Sequence, residues 1–238
     1  MTVGSGVPTF NLKKFYTPKG ISKIMGDSWK NLEYLITTPS ILFARLKLEP
    51  RWVLAFTLLF LVSAFLSWGT APFETHLIVK SMPTGSEVEF ITVGVLIANL
   101  AGEILWIVVL SALLTGFARI FQINEGVKFK HISAGLIHIS LIQILIKLFN
   151  SALLMIFRKV EEIETVADMQ IIPGLHNLTS SLNNVKLRVF LGHINVLSLW
   201  YIIILTIAIA VFTKKKKSQA CFWAVAIWLF GIVISTLL

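Results

Sequence analysis

The sequence predicts an all-α, polytopic membrane protein with five transmembrane helices, a cytoplasmic N-terminus, an outside C-terminus and amphipathic N-terminal helices. Three observations predict this class. The 238 residues are 56% hydrophobic and 14% charged, with a mean hydropathy of +0.82, so too little polar surface exists to cover a soluble core. The charged residues are concentrated in the connections between long apolar stretches. Those stretches reach the roughly 20 residues that a helix needs to cross the bilayer hydrocarbon.

The chain divides into three regions. Residues 1–20 are rich in Gly, Pro, Thr and Lys without apolar periodicity, which predicts a flexible cytoplasmic tail. Residues 21–50 carry apolar side chains at helical spacing, and a helix start at Thr38-Pro39 divides them into two short amphipathic helices. These helices either lie on the inner membrane surface or pack on the bundle, and the pattern does not distinguish the two.

The third region, residues 51–238, is the transmembrane domain. Helices are expected because backbone groups in lipid must be satisfied within the segment and the alternating pattern of a barrel is missing from the sequence. The five predicted spans cover about 52–70, 90–117, 132–157, 190–213 and 219–238.

The orientation follows from the basic residues, which are retained on the cytoplasmic side during insertion. With the N-terminus inside, fifteen Lys and Arg residues in the connections fall on the cytoplasmic side and five fall outside. The run Lys214–Lys217, between the last two spans, belongs to the cytoplasmic set. The sequence therefore predicts a multi-pass protein with its C-terminus outside the cell.

Several functional classes are not expected. The net charge is +9, but the basic residues are scattered and form no stripe, so nucleic acid is not a predicted partner. Cys221 is the single cysteine, and His131 and His138 do not have the spacing of zinc motifs. Phosphate-binding loops and nucleophile elbows are missing from the sequence. We therefore expect no enzymatic activity, no cofactor and no metal ion, with membrane lipids as one class of partner.

The connection Arg158–Val189 is the longest outside the membrane. Its first part, Lys159–Met169, is acidic and predicts a helix, and a polar string follows at Asn177–Asn184. At roughly 30 residues it exceeds an ordinary connector, and such loops often carry function. We expect it to form the outside-facing contact surface.

Glu103 and Lys147 are the two charges inside predicted spans. A lone charge in hydrocarbon is costly, and such residues commonly pair or mark a functional site. The expected depths are roughly 20 Å from the outer edge for Glu103 and roughly 15 Å for Lys147, a difference that the lysine stem can span. The sequence predicts an ion pair between adjacent helices.

Other polar residues extend this predicted intramembrane cluster. Asn99 lies one helical turn from Glu103, and Gln143 and Asn150 share a helix face with Lys147. We expect the two faces to meet inside the bundle. The cluster is either a binding surface or solute pathway, or a structural lock between helices, and both interpretations remain open.

Two stretches carry a resemblance to the Yip family, the Ypt/Rab-interacting membrane proteins and their bacterial relatives. The first lies at the entry to the membrane and contains Trp29, Thr38-Pro39-Ser40, Phe43, Leu46 and Glu49-Pro50-Arg51-Trp52. The second contains Asn195-Val196-Leu197-Ser198-Leu199-Trp200, Leu205, Ala208 and Trp228. The chain resembles the family over about residues 29–238.

The resemblance implies a five-span bundle with its N-terminus inside, no catalytic site, and action through protein partners. The aspartate-leucine-tyrosine-glycine-proline type motif of eukaryotic members is missing, so the resemblance points to a bacterial plasma-membrane relative. Some bacterial relatives accompany ABC-type exporters as accessory factors. The first hypothesis is therefore a non-enzymatic accessory or scaffold protein that binds another membrane complex. The alternative is a small permease or homo-oligomeric channel that uses the Glu103 and Lys147 cluster.

Overall fold

The computed structural model describes residues 18–81, 88–120, 127–179 and 184–237. Within these ranges the regular structure is helical throughout, as predicted. Three short 3₁₀ turns interrupt the longest connection, at Val160–Glu162, Val166–Met169 and Leu175–Thr179. The α-helices are α1 Pro18–Thr37, α2 Pro39–Leu48, α3 Val53–Ser81, α4 Val88–Ile120, α5 Phe129–Phe157, α6 Val185–Gly192, α7 Val196–Thr213 and α8 Lys217–Leu237.

Four of these helices, α3, α4, α5 and α7, are long and apolar enough to cross a membrane. The apolar part of α8, Lys217–Val233, is shorter. The chain therefore has the architecture of a multi-pass membrane protein. The predicted tail extends to residue 20, but α1 already begins at Pro18, and residues 1–17 lie outside the described part of the chain.

Helix α3 is longer than the predicted span, which ends near Thr70. It continues through Pro72 to Ser81. A proline inside a helix removes one backbone hydrogen bond and costs about 3 kcal/mol or more. Burial offsets this cost, because Phe73 is 6% exposed and packs in one apolar cluster with Leu154 of α5.

The predicted span 190–213 is wrong as a single helix. The chain forms α6, then a break, then α7 from Val196. Asn195 causes the break, because its side-chain oxygen accepts a hydrogen bond from the Ser198 backbone N–H at 2.9 Å and caps α7. A prediction that rests on the length of the apolar stretch does not detect this cap.

The predicted acidic helix Lys159–Met169 is also wrong, since two 3₁₀ turns take its place. Local side-chain hydrogen bonds compete with the helix here. One Asp168 carboxylate oxygen accepts from the Thr165 backbone N–H at 2.7 Å and from its hydroxyl at 2.8 Å.

Helix α2 starts at Pro39 after Thr38, as predicted. Three of its side chains, Leu42, Phe43 and Leu46, are completely buried against α5 and α7. The sequence left open whether this helix lies on the membrane surface or packs on the bundle. The structure shows that α2 packs on the bundle.

Helix α5 lies at the centre of the fold. It packs against α3 and α4 on one side and against α2 and α7 on the other, and α8 packs along α7. At Gly135 a side chain would force Phe212 of α7 to move, because a Cβ there would lie 2.6 Å from the Phe212 ring. We call the end that carries residues 158–195 the loop end, and the end that carries α2 and Lys214–Lys217 the lysine end.

Candidate functional site: a polar cleft at the loop end

A polar cleft of about 280 Å³ lies at the loop end of the bundle. One wall is a polar stripe on α3, formed by Ser63, Ser67, Thr70 and Glu74 at helical spacing. The other walls come from α4, α5, the long connection, the end of α6 and the break that precedes α7. The cleft reaches from the end of the bundle to about the middle of α3, where Ser63 lies.

Glu103 and Lys147 form the predicted contact at the deep end of this cleft. The Lys147 ammonium lies 3.6 Å from one Glu103 carboxylate oxygen, and the Ser63 hydroxyl donates a hydrogen bond to the other. The two side chains differ in exposure, since Glu103 is 9% and Lys147 is 54% exposed. The expectation that both lie inside the bundle is therefore wrong for Lys147, which lines the open cleft.

Asn99 contributes to a different contact from the one predicted. Its side-chain amide donates to a Glu74 carboxylate oxygen at 2.9 Å, and the Thr70 hydroxyl donates to the other oxygen at 3.2 Å. Glu74 lies beyond the predicted end of the first span near Thr70, so the sequence predicts that it belongs to the outer connection that follows. The spacing of Ser63, Thr70 and Glu74 is the signal that could have placed it on the same helix face.

Asn150 fixes the long connection to α5. Its amide nitrogen donates to the Met169 carbonyl at 2.7 Å, and its amide oxygen accepts from the backbone N–H groups of Ile171 at 2.9 Å and Ile172 at 3.2 Å. One side chain thus satisfies three backbone groups that would otherwise lack partners. The connection is held over the cleft as a wall.

Gln143 is not brought to the cleft. It is half-buried about one turn from Lys147 toward the lysine end, and the lining of the cleft does not include it. The structure therefore brings Asn99, Lys147 and Asn150 into the lining, while Glu103 reaches it through its ion pair.

The mouth of the cleft includes groups that sequence reasoning did not assign to it. His193 lies in the break between α6 and α7, and burial lowers the pKa of its imidazole. Gln170 packs so closely on Gly192 that a Cβ at this glycine would collide with the Gln170 amide. The positions of His193, Gln170 and Gly192 depend on how the connection folds. The pattern of apolar residues in the sequence does not predict that fold.

Among the described residues, the lining of the cleft does not extend between α3, α4 and α5 to the lysine end. Buried apolar side chains fill that space, with exposures of 1–6%. They are Ala55, Leu59, Ile107, Ile137 and Ile144. The cleft is therefore a pocket with one polar end and an apolar floor.

The chemistry of the cleft is hydrogen bonding and charge. Carboxylates, amides, hydroxyls and the ammonium of Lys147 line it or reach it, and they suit a polar ligand or a polar protein segment. Within the described residues, no group of three or more His, Cys, Asp or Glu side chains is arranged to hold a metal ion. Comparison of the chain with protein-family models, with curated proteins and with solved structures gives no match.

Proposed function

We propose that this protein is a non-enzymatic accessory or scaffold protein of the bacterial plasma membrane that binds another membrane complex through the polar cleft. An ABC-type exporter is the class of complex that the resemblance implies. The observation that carries the proposal is the Lys147 side chain, which is half-exposed and charged within a helix apolar enough to cross a membrane. Exposed charge at this depth is unfavourable in lipid unless polar groups or water surround it.

A polar segment of a partner membrane protein would supply such groups. Polar contacts between helices in a membrane are favourable, at about 0.6–2 kcal/mol each. The cleft offers donors and acceptors for several of them, including the side chains of Asn99 and Ser67 in its lining. The half-exposed Lys147 then becomes a charged contact at the centre of an interface.

The floor of the cleft supports this function over the alternative of a permease. A pathway through one copy of the chain would have to pass the buried apolar cluster around Leu59 and Ile144, which are 1% and 3% exposed. Packed cores of this kind exclude water and ions. A pathway formed between copies is tested by the conductance measurement below.

The proposed topology has five spans, with the N-terminus in the cytoplasm and the C-terminus outside. Helix α8 supports the fifth span, because it starts beside the end of α7 and also contacts α6, which precedes the start of α7. It therefore runs back along the whole of α7. The concentration of Lys and Arg at the lysine end supports the placement of that end in the cytoplasm.

Site-specific photo-crosslinking in native membranes tests the proposal. A photoreactive amino acid at Ile146, which lines the cleft, should give a crosslink to an integral membrane protein in stoichiometric yield. The matched control position is Phe65 of α3, which is 65% exposed but does not line the cleft. It should give lipid adducts only.

Two outcomes would contradict the proposal. One is equal crosslinking to the same proteins from Ile146 and Phe65, which would indicate random encounters. The other is an ion conductance of the purified chain in planar bilayers in KCl that Glu103→Gln abolishes. That result would assign the cluster to a pathway and favour the channel hypothesis.

A further inference from the structure

A second and larger cavity lies at the lysine end, between α4, α5, α7 and α8. Its volume is about 700 Å³, within the roughly 300–1,000 Å³ range of small-molecule sites. The walls are almost entirely apolar, with Leu113, Ile132, Leu205, Ala226 and Phe230 among them. The cavity is therefore suited to a hydrocarbon chain.

Basic residues surround the lysine end of this cavity. Lys215 lies in its lining together with the polar residues Thr213, Ser218 and Gln219, and it is the one charged residue in that described lining. The neighbours Lys214, Lys216 and Lys217 are exposed, and so are Lys128 and Lys130, which flank the lining residue Val127. An apolar chamber with a cationic rim complements a ligand that has an anionic head and an apolar tail.

The backbone of Lys214 adds an independent observation. It has a left-handed conformation, with φ 55° and ψ 21°, at the end of α7. Glycine is the usual residue in this position after a helix, because it has no Cβ to strain. The position thus carries a lysine where the fold favours glycine. Lys214 also lies close enough to Lys47 to contribute, after burial, to the lowered pKa of that side chain.

We propose that this cavity binds one anionic phospholipid of the membrane leaflet at the lysine end, with an acyl chain in the space enclosed by α4, α5, α7 and α8 and the phosphate at the Lys214–Lys217 turn. The proposal does not depend on the partner of the polar cleft. Each lysine near an anionic headgroup strengthens binding by about fivefold. The charge of the rim, rather than the apolar cavity, should determine which lipid is selected.

Native mass spectrometry of the full chain tests this site. The purified protein is mixed in non-ionic detergent with equal amounts of phosphatidylglycerol and phosphatidylcholine that carry the same acyl chains. One phosphatidylglycerol should be retained in preference to phosphatidylcholine. The double change Lys214→Gly with Lys215→Gln should reduce that preference by about 25-fold. The matched control, Lys159→Gln with Lys186→Gln, removes the same charge from the loop end and should leave the preference unchanged.

Two further variants keep the test independent of folding defects. Lys214→Gly alone relieves the strained backbone, so its thermal stability without lipid should equal or exceed that of the wild type while its lipid preference falls about fivefold. Ala226→Trp fills the cavity and should reduce retention of both lipids. Equal retention of the two lipids by the wild type would overturn the proposal. So would loss of the preference in the loop-end control, or complete displacement of the lipid by inorganic phosphate.

Discussion

The two ends of the bundle are built in opposite ways around the same central helix. At the loop end, α5 presents Lys147 and Asn150 to a polar cleft, whose contacts are hydrogen bonds and one ion pair. At the lysine end, α5 presents Ile132 and Leu136 to an apolar cavity, with charge confined to the rim. If both proposals hold, the position of polar groups along one helix separates a site for protein contacts from a site for lipid.

The largest expected effect concerns the apolar end. Phe43→Ala should lower the free energy of unfolding by about 3–5 kcal/mol, because Phe43 is fully buried and its ring lies 6.0 Å from that of Phe212. Unfolding in mixed micelles with increasing SDS measures the change. Ile41→Ala, on the exposed side of the same helix, should cost less than about 1 kcal/mol. Equal costs would show that α2 does not pack on the bundle.

The corresponding change at the polar end is Asn150→Leu. It leaves one backbone carbonyl and two backbone N–H groups without their partner, at a cost of about 2–3 kcal/mol. Hydrogen exchange at the Ile171 and Ile172 amides should accelerate while exchange in α2 stays unchanged. Gln143→Leu makes the same chemical change on the same helix away from the cleft, and it should leave these amides protected. Acceleration in both variants would contradict the role given to Asn150.

A smaller effect is expected for the ion pair. In a double-mutant cycle with Glu103→Gln and Lys147→Met, the coupling free energy should be about 1–2 kcal/mol. This value lies between those of exposed and buried pairs, because the Glu103 side chain is 9% exposed while that of Lys147 is 54% exposed. Single variants whose costs add without coupling would exclude an energetic pair.

The smallest expected effect is a pH dependence of the folding stability, caused by two histidines at the loop end. Burial lowers the pKa values of His193 and His176 below 6.5, so the unfolded state binds more protons than the folded state in the window just below that pH. Stability should therefore fall as the pH decreases through this window, and His193→Gln should reduce the fall. Thermal unfolding between pH 5 and 8 measures it. A stability that rises on acidification would contradict the burial of these imidazoles.

The sequence predicted the helical class because hydropathy and charge position are direct physical requirements of a bilayer. It also predicted the contact between Glu103 and Lys147, because two opposite charges at similar depth have few other partners. These features depend on composition and on the rise per residue of a helix. They can therefore be predicted without knowledge of how the helices pack.

The errors have a common cause in local hydrogen bonding and tertiary packing. The break before α7 depends on the Asn195 cap, and the 3₁₀ turns depend on Asp168. The extension of α3 depends on packing beyond Pro72. Because of this extension, Glu74 lies in the cleft and not in the predicted loop. The apolar cavity could not be predicted, since its walls come from four helices whose arrangement the periodicity does not specify.

The charge-swapped variant Glu103→Lys with Lys147→Glu tests the central claim most directly. It retains an internal ion pair but reverses the charge presented by the cleft. We predict that the swapped protein still folds, at a cost of no more than about 1–3 kcal/mol for replacing the largely buried Glu103 carboxylate, together with at least a tenfold loss of the crosslink from Ile146, equivalent to about 1.4 kcal/mol. A stable swapped protein that crosslinks its partner as the wild type does would contradict the claim and leave the pair as a structural contact alone.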